Sequence, residues 1–145
     1  MSCVGFLSPE QRAALAASSR EDAAGARLSS FASPPPSDGK VRRVRLLARS
    51  TDPRIRESAA LSHHAPADVL RRLADDEEPG VRRCVARNVH ADAALLARLA
   101  SDPDPHVRGW VASNPSVSTA VLELLSEDED ESVRAVVAWA KGWWD

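Results

Sequence analysis

Four arginines, Arg56, Arg82, Arg108 and Arg134, each follow a valine or isoleucine, and each stands 26 residues from the next. A guanidinium offers five donors in a fixed fork that matches carboxylate or phosphate oxygens, so two chemistries are open to such a column. It could be a ladder for anionic ligands. It could equally be a structural ladder, each arginine forking onto an acid or carbonyl of an inter-repeat turn such as Asp76, Asp102 or Asp128. A column written into every unit belongs to the architecture, so the structural ladder is expected, and ligand choice should sit where the units differ.

The units differ most in a second set of cations. Arg42, Arg45 and Arg49, then Arg71 and Arg72, then Arg98 occupy the outward positions of successive segments, and Glu123 and Glu127 replace them in the last. From Lys40 to Arg56 the chain carries seven positive residues and one acid, Asp52. A surface grading from basic to acidic suits an acidic partner, although a solvated arginine-rich face has the same composition.

Other reactive types are present without the spacing that chemistry needs. His63, His64 and His90, with Asp68 and Asp92 nearby, are zinc-ligand types. But His64 and His90 are one repeat apart, and helices stacked about 8–10 Å apart are too loose for bonds of ~2 Å, so no metal is expected. His106 falls on the opposite edge and should be exposed. The acidic runs "DDEEP" (75–79) and "EDEDES" (127–132) lack the glycine and alternation of a calcium loop, and fit acids placed ahead of a helix start. There is no glycine-rich phosphate loop and no serine, histidine and acid in a nucleophile motif. Neither an enzyme nor a cofactor is expected.

The elements that position these residues recur with the same period. Ala60, Ala86, Ala112 and Ala138 follow the arginines by four, and Asn88 and Asn114 close the run, with Ser62 and Ala140 as variants. Val44, Leu70, Leu96 and Leu122, then Leu47, Leu73, Leu99 and Leu125, form a second block followed by Ala48, Ala74, Ala100 and Ser126. Val81, Cys84, Val85 and Asn88 fall at i, i+3, i+4 and i+7, one face of a helix, as do Val107, Trp110, Val111 and Asn114, and Val133, Val136, Val137 and Ala140. This puts Cys84, Trp110 and Val136 in one core column. Asp52-Pro53, Glu78-Pro79 and Asp104-Pro105 read as helix starts, Asp92 and Ser118 as caps of a second helix, and Asn114-Pro115 as a break. Helices of about ten residues are marginal alone and must bury their stripes against neighbours, each buried Val or Leu contributing roughly 1.5–3 kcal/mol. The fold class expected is all-α, an α-solenoid of about four 26-residue, two-helix repeats.

The stretch "LASDPDPHVRGWVASNPSVSTAVLELLSED" resembles the leucine-rich repeat variant family, a HEAT-like group of short α-helical repeats, through L-A-x-D-x-D-x-x-V-R-x-x-V-A-x-N-P followed by L-x-x-L. The resemblance covers about residues 41 to 140. It implies a right-handed superhelix whose second helices are partly 3₁₀, and it brings no common enzymatic activity. Some relatives carry a cysteine-rich segment with an iron–sulfur cluster; this chain lacks those cysteines, so that cofactor does not carry over.

The remaining features set the frame. With 145 residues the chain is long enough for one continuous core, and a net charge of −2 excludes a global bias toward nucleic acid or membrane. Arginine outnumbers lysine seventeen to two, as in a high-GC, bacterial genome. Two cysteines, Cys3 and Cys84, far apart in a chain with no secretion signal, suggest a reducing cytoplasm and no disulfide. Residues 1–36 read as an N-terminal helical cap or degenerate repeat, with Ser8 and Gln11 as a capping box, followed by the proline-rich loop "FASPPPSDG"; residues 37–145 read as the repeat domain. Trp139, Trp143 and Trp144 are expected to cover the end of the stack, or alternatively to dock a partner or a second copy. The function expected is a non-catalytic scaffold in the cytoplasm, monomeric or weakly dimeric, offering a concave and partly basic face to a protein. The alternative is nucleic-acid binding through the same arginines with Arg43, as HEAT-like DNA glycosylases grip a duplex, against which stand the acidic total and the few aromatics near the patch.

Overall fold

The computed structural model describes residues 38 to 144, with side chains as far as Gly142; expectations for Cys3, for the capping box and for the N-terminal segment lie outside the described residues, as do the side chains of Trp143 and Trp144. The described residues form eight α-helices and no strand: α1 (Asp38–Leu47), α2 (Pro53–Leu61), α3 (Ala67–Leu73), α4 (Pro79–Arg87), α5 (Ala93–Leu99), α6 (Pro105–Ser113), α7 (Thr119–Ser126) and α8 (Glu131–Trp144). No helix among them is long and apolar enough to cross a membrane.

Local chemistry sets these boundaries. Pro53, Pro79 and Pro105 open α2, α4 and α6, where a missing N–H costs nothing. Asp52 accepts from Arg54 N–H and Asp104 from His106 N–H, while Asp92 and Ser118 cap α5 and α7 by accepting from Leu95 and Val121 N–H. Glu78 departs from this pattern and makes no side-chain cap. Ahead of Pro115, Asn114 turns extended at ψ 130° and ends α6. The second helices α3, α5 and α7 are α-helical throughout rather than partly 3₁₀. Three-residue closures occur at their ends, as in Val69 N–H to Pro66 O at the entry of α3 and Asp102 N–H to Leu99 O after α5, where the chain tightens into the turn.

Packing follows the period. Helices α2, α4, α6 and α8 lie each against the next, and α3, α5 and α7 each touch the first helices on either side. The Val81, Val107 and Val133 column and the Val85, Val111 and Val137 column are buried, as are Leu70, Leu96, Leu122 and Leu73, Leu99, Leu125. One side-chain set thus belongs to two units at once, which couples helices too short to stand alone. Ala59, Ala60, Ala86 and Ala112 are fully buried in this packing. Ile55 heads the valine column but is 38% exposed, because no described first helix precedes α2.

Candidate functional site

The arginine column reaches in two directions. Arg82 Nη1 donates back to the carbonyls of Asp76 (2.8 Å) and Glu77 (3.2 Å), while Nε and Nη2 fork onto Asp102 at 2.7 and 3.0 Å. Arg56 repeats this with Ser50 O, Thr51 O and Asp76, and Arg108 with Asp102 O, Pro103 O and Asp128. Each of these carboxylates also accepts the backbone N–H two residues on, at Glu78, Asp104 and Asp130. One side chain therefore ties the turn before its helix to the turn after the next. The fork holds Arg56, Arg82 and Arg108 above the usual guanidinium range. Burial alone would raise the Asp76 carboxyl, yet the Arg56 fork and Glu78 N–H bring it below the usual carboxylate range; at Asp128 the Arg108 fork is the main cause of the same shift.

Arg134 keeps only half of this pattern. Its Nη1 donates to Asp128 O at 2.7 Å and Glu129 O at 3.0 Å, but Nε and Nη2 meet no carboxylate among the described residues, and the side chain is exposed.

The second-helix arginines divide into two groups. Arg45 forks onto Asp68 at 3.2 and 3.0 Å, Arg71 reaches Asp92 at 3.0 Å, and Arg98 lies 3.4 Å from Asp75 and donates to Arg71 O. Arg42, Arg49 and Arg72 have no ion pair among the described residues. Arg49 and Arg72 line one open groove of about 460 Å³ with Ser50, Asp75, Asp76 and Glu77. The basic end of the graded face read from sequence is thus half neutralised from within, since acids 21 to 23 residues downstream of Arg45 and Arg71 land beside them.

The histidines come closer than helix spacing suggested. His63 Nδ1 and His90 Nε2 lie 3.1 Å apart across one repeat, because both project from turns that narrow the gap between helix axes. His64 stands edge-on to His63 at 5.7 Å between centroids. Asp68 and Asp92 are occupied by Arg45 and Arg71, and no group of three or more metal-ligand side chains is assembled among the described residues. His106 is exposed and paired with Asp104.

Trp110 leaves the column it shares in sequence with Cys84. Cys84 is buried, whereas the Trp110 ring is 38% exposed with the Arg87 guanidinium 5.0 Å from its centroid. The position lies at the border of the buried stripe, where neighbours cover a short thiol but not an indole. Trp110, with Val136 and Trp139, lines an apolar groove of about 450 Å³ between α6 and α8. Trp139, within α8, is 58% exposed. Ala140 replaces the turn asparagine and no proline follows, so the helix runs on to Trp144.

The asparagine column has a role that its spacing alone does not disclose. Asn88 Nδ2 reaches back one unit to Ala60 O (2.6 Å) and Ser62 O (3.1 Å), and Asn114 Nδ2 to Ala86 O (2.7 Å) and Asn88 O (3.0 Å). The recurrence of a buried-face amide was the available signal. Comparison with family models, with curated proteins and with solved structures gave no match.

Proposed function

We propose that the chain is a non-catalytic protein-interaction scaffold, a right-handed α-solenoid of about four 26-residue units related to the leucine-rich repeat variant and HEAT-like repeats. In this reading it acts in the cytoplasm as a monomer or weak homodimer. Its second helices line a concave face, and an acidic segment of a protein partner docks where cations are left over. The observation that carries the reading is the division among the second-helix arginines: Arg45, Arg71 and Arg98 are held by acids of the chain itself, whereas Arg49 and Arg72 face one open groove with no ion pair among the described residues. No buried side-chain N or O among the described residues lacks a partner.

The same division disfavours nucleic acid. A duplex grip draws affinity from many phosphate contacts, and three of the seven arginines named for it already have carboxylates. The test is a pull-down from native lysate with the full chain, treated and untreated with nuclease, alongside the Arg49→Glu/Arg72→Glu variant. A protein partner retained after nuclease and lost with the double variant supports the reading. Loss with nuclease, or capture indifferent to the double variant, overturns it.

A further inference from the structure

Two columns change state at the last helix. In the interior units the arginine side chains Arg56, Arg82 and Arg108 are 11%, 13% and 8% exposed, and Ala60, Ala86 and Ala112 are 0%, 0% and 1% exposed. On α8 the corresponding Arg134 and Ala138 are both exposed. In the interior units the elements that follow, α3 to α7, lie over this side. After α8 no described element does so. At Ala140, where the interior units turn, α8 continues as helix to Trp144.

Part of that cover is the next first helix, whose closing asparagine reaches Ala60 O or Ala86 O, and the other part, repeated three times inside the molecule, has one chemistry. Leu70, Leu73 and Asp76 recur as Leu96, Leu99 and Asp102 and as Leu122, Leu125 and Asp128, a helix reading L-x-x-L-x-x-D. In each the leucines are buried and the aspartate sits in the fork of the arginine twenty residues earlier. We propose that the Arg134–Ala138 face of α8 is a docking seat for a partner protein's amphipathic helix of this pattern, its carboxylate entering the open Arg134 fork as Asp128 enters that of Arg108. Charge complementarity selects the carboxylate, and the small Ala138 lets a leucine-bearing helix approach closely. A second copy stacked head to tail is a poor fit, because its leading second helix α1 carries Val44 and Leu47 but Ser50 in place of the acid.

The seat is separate from the Arg49–Arg72 groove, and each can fail without the other. The probe is a fluorescent peptide of residues 117–130, VSTAVLELLSEDED, titrated into the full chain and followed by anisotropy. Saturable binding is expected. It should weaken at least tenfold with Arg134→Glu or Ala138→Glu, and severalfold when the peptide carries asparagine in place of the carboxylate of Asp128. Circular dichroism keeps the result interpretable, because both residues are exposed and both variants should retain the parent's helix content. No saturable binding overturns the proposal. So does binding indifferent to both variants, which would put the peptide in the place of α7. A dimer in sedimentation velocity that Ala138→Glu dissolves would give the seat to a second copy and also overturn it.

Discussion

Arg108 and Arg134 each follow a valine, hold the same helix position and make the equivalent two carbonyl bonds, yet one is buried and the other open. What separates them lies twenty residues away: the Arg108 fork is filled by Asp128, and that of Arg134 meets no acid among the described residues. The contrast shows that the motif positions the guanidinium, while the next layer decides whether it holds the stack together or is offered to a partner. The arginines of the second helices repeat the lesson. Arg71 and Arg72 are adjacent, but only Arg71 finds an acid in the neighbouring unit.

The sharpest way to break this comparison is to truncate both arginines. Arg108→Ala strands Asp128 in a nearly buried site and should cost about 3 kcal/mol in urea unfolding, whereas Arg134→Ala should stay within ~0.5 kcal/mol. Equal losses would mean that the buried fork adds nothing. A smaller effect is expected from Asn114→Ala, which leaves the buried carbonyls of Ala86 and Asn88 short of a donor and should cost about 2 kcal/mol by the same measurement. Its counterpart Ala140→Gly removes no such bond, and a loss there as large as that of Asn114→Ala would argue against an amide ladder. The mildest effect is expected in acid. Asp76 and Asp128 are depressed in the folded chain, so their contribution is complete above the unfolded carboxylate value of about 4 and is lost as pH falls through the folded value. The parent should therefore lose stability below about pH 4 more steeply than Arg108→Met, in which Asp128 has no fork to lose. Parallel pH profiles would remove the pairing from the stability of the stack.

Much of the interior was legible from residue types and spacing. Valine and leucine columns at helical intervals have few ways to leave water, and Asp52-Pro53 and Asp104-Pro105 mark helix starts through orphan amides and φ restriction. The surface was less legible. Asp68 and Asp92 could be read as metal ligands or caps, and only the stacking of units brings them to Arg45 and Arg71. Trp110 occupies the same helical register as Cys84, yet side-chain size at the border of the stripe exposes one and hides the other. His63 and His90 meet because turns converge where helix axes do not.

The sequence by itself determined which residues recur, where helices begin and which faces are apolar, because caps, proline and periodicity act within one or two turns of chain. Only the tertiary structure decided which charges are cancelled, which rings stay wet and where one arginine fork is left open. Those outcomes depend on atoms twenty or more residues apart brought within three ångströms or so, and a local pattern carries no record of the gap between them.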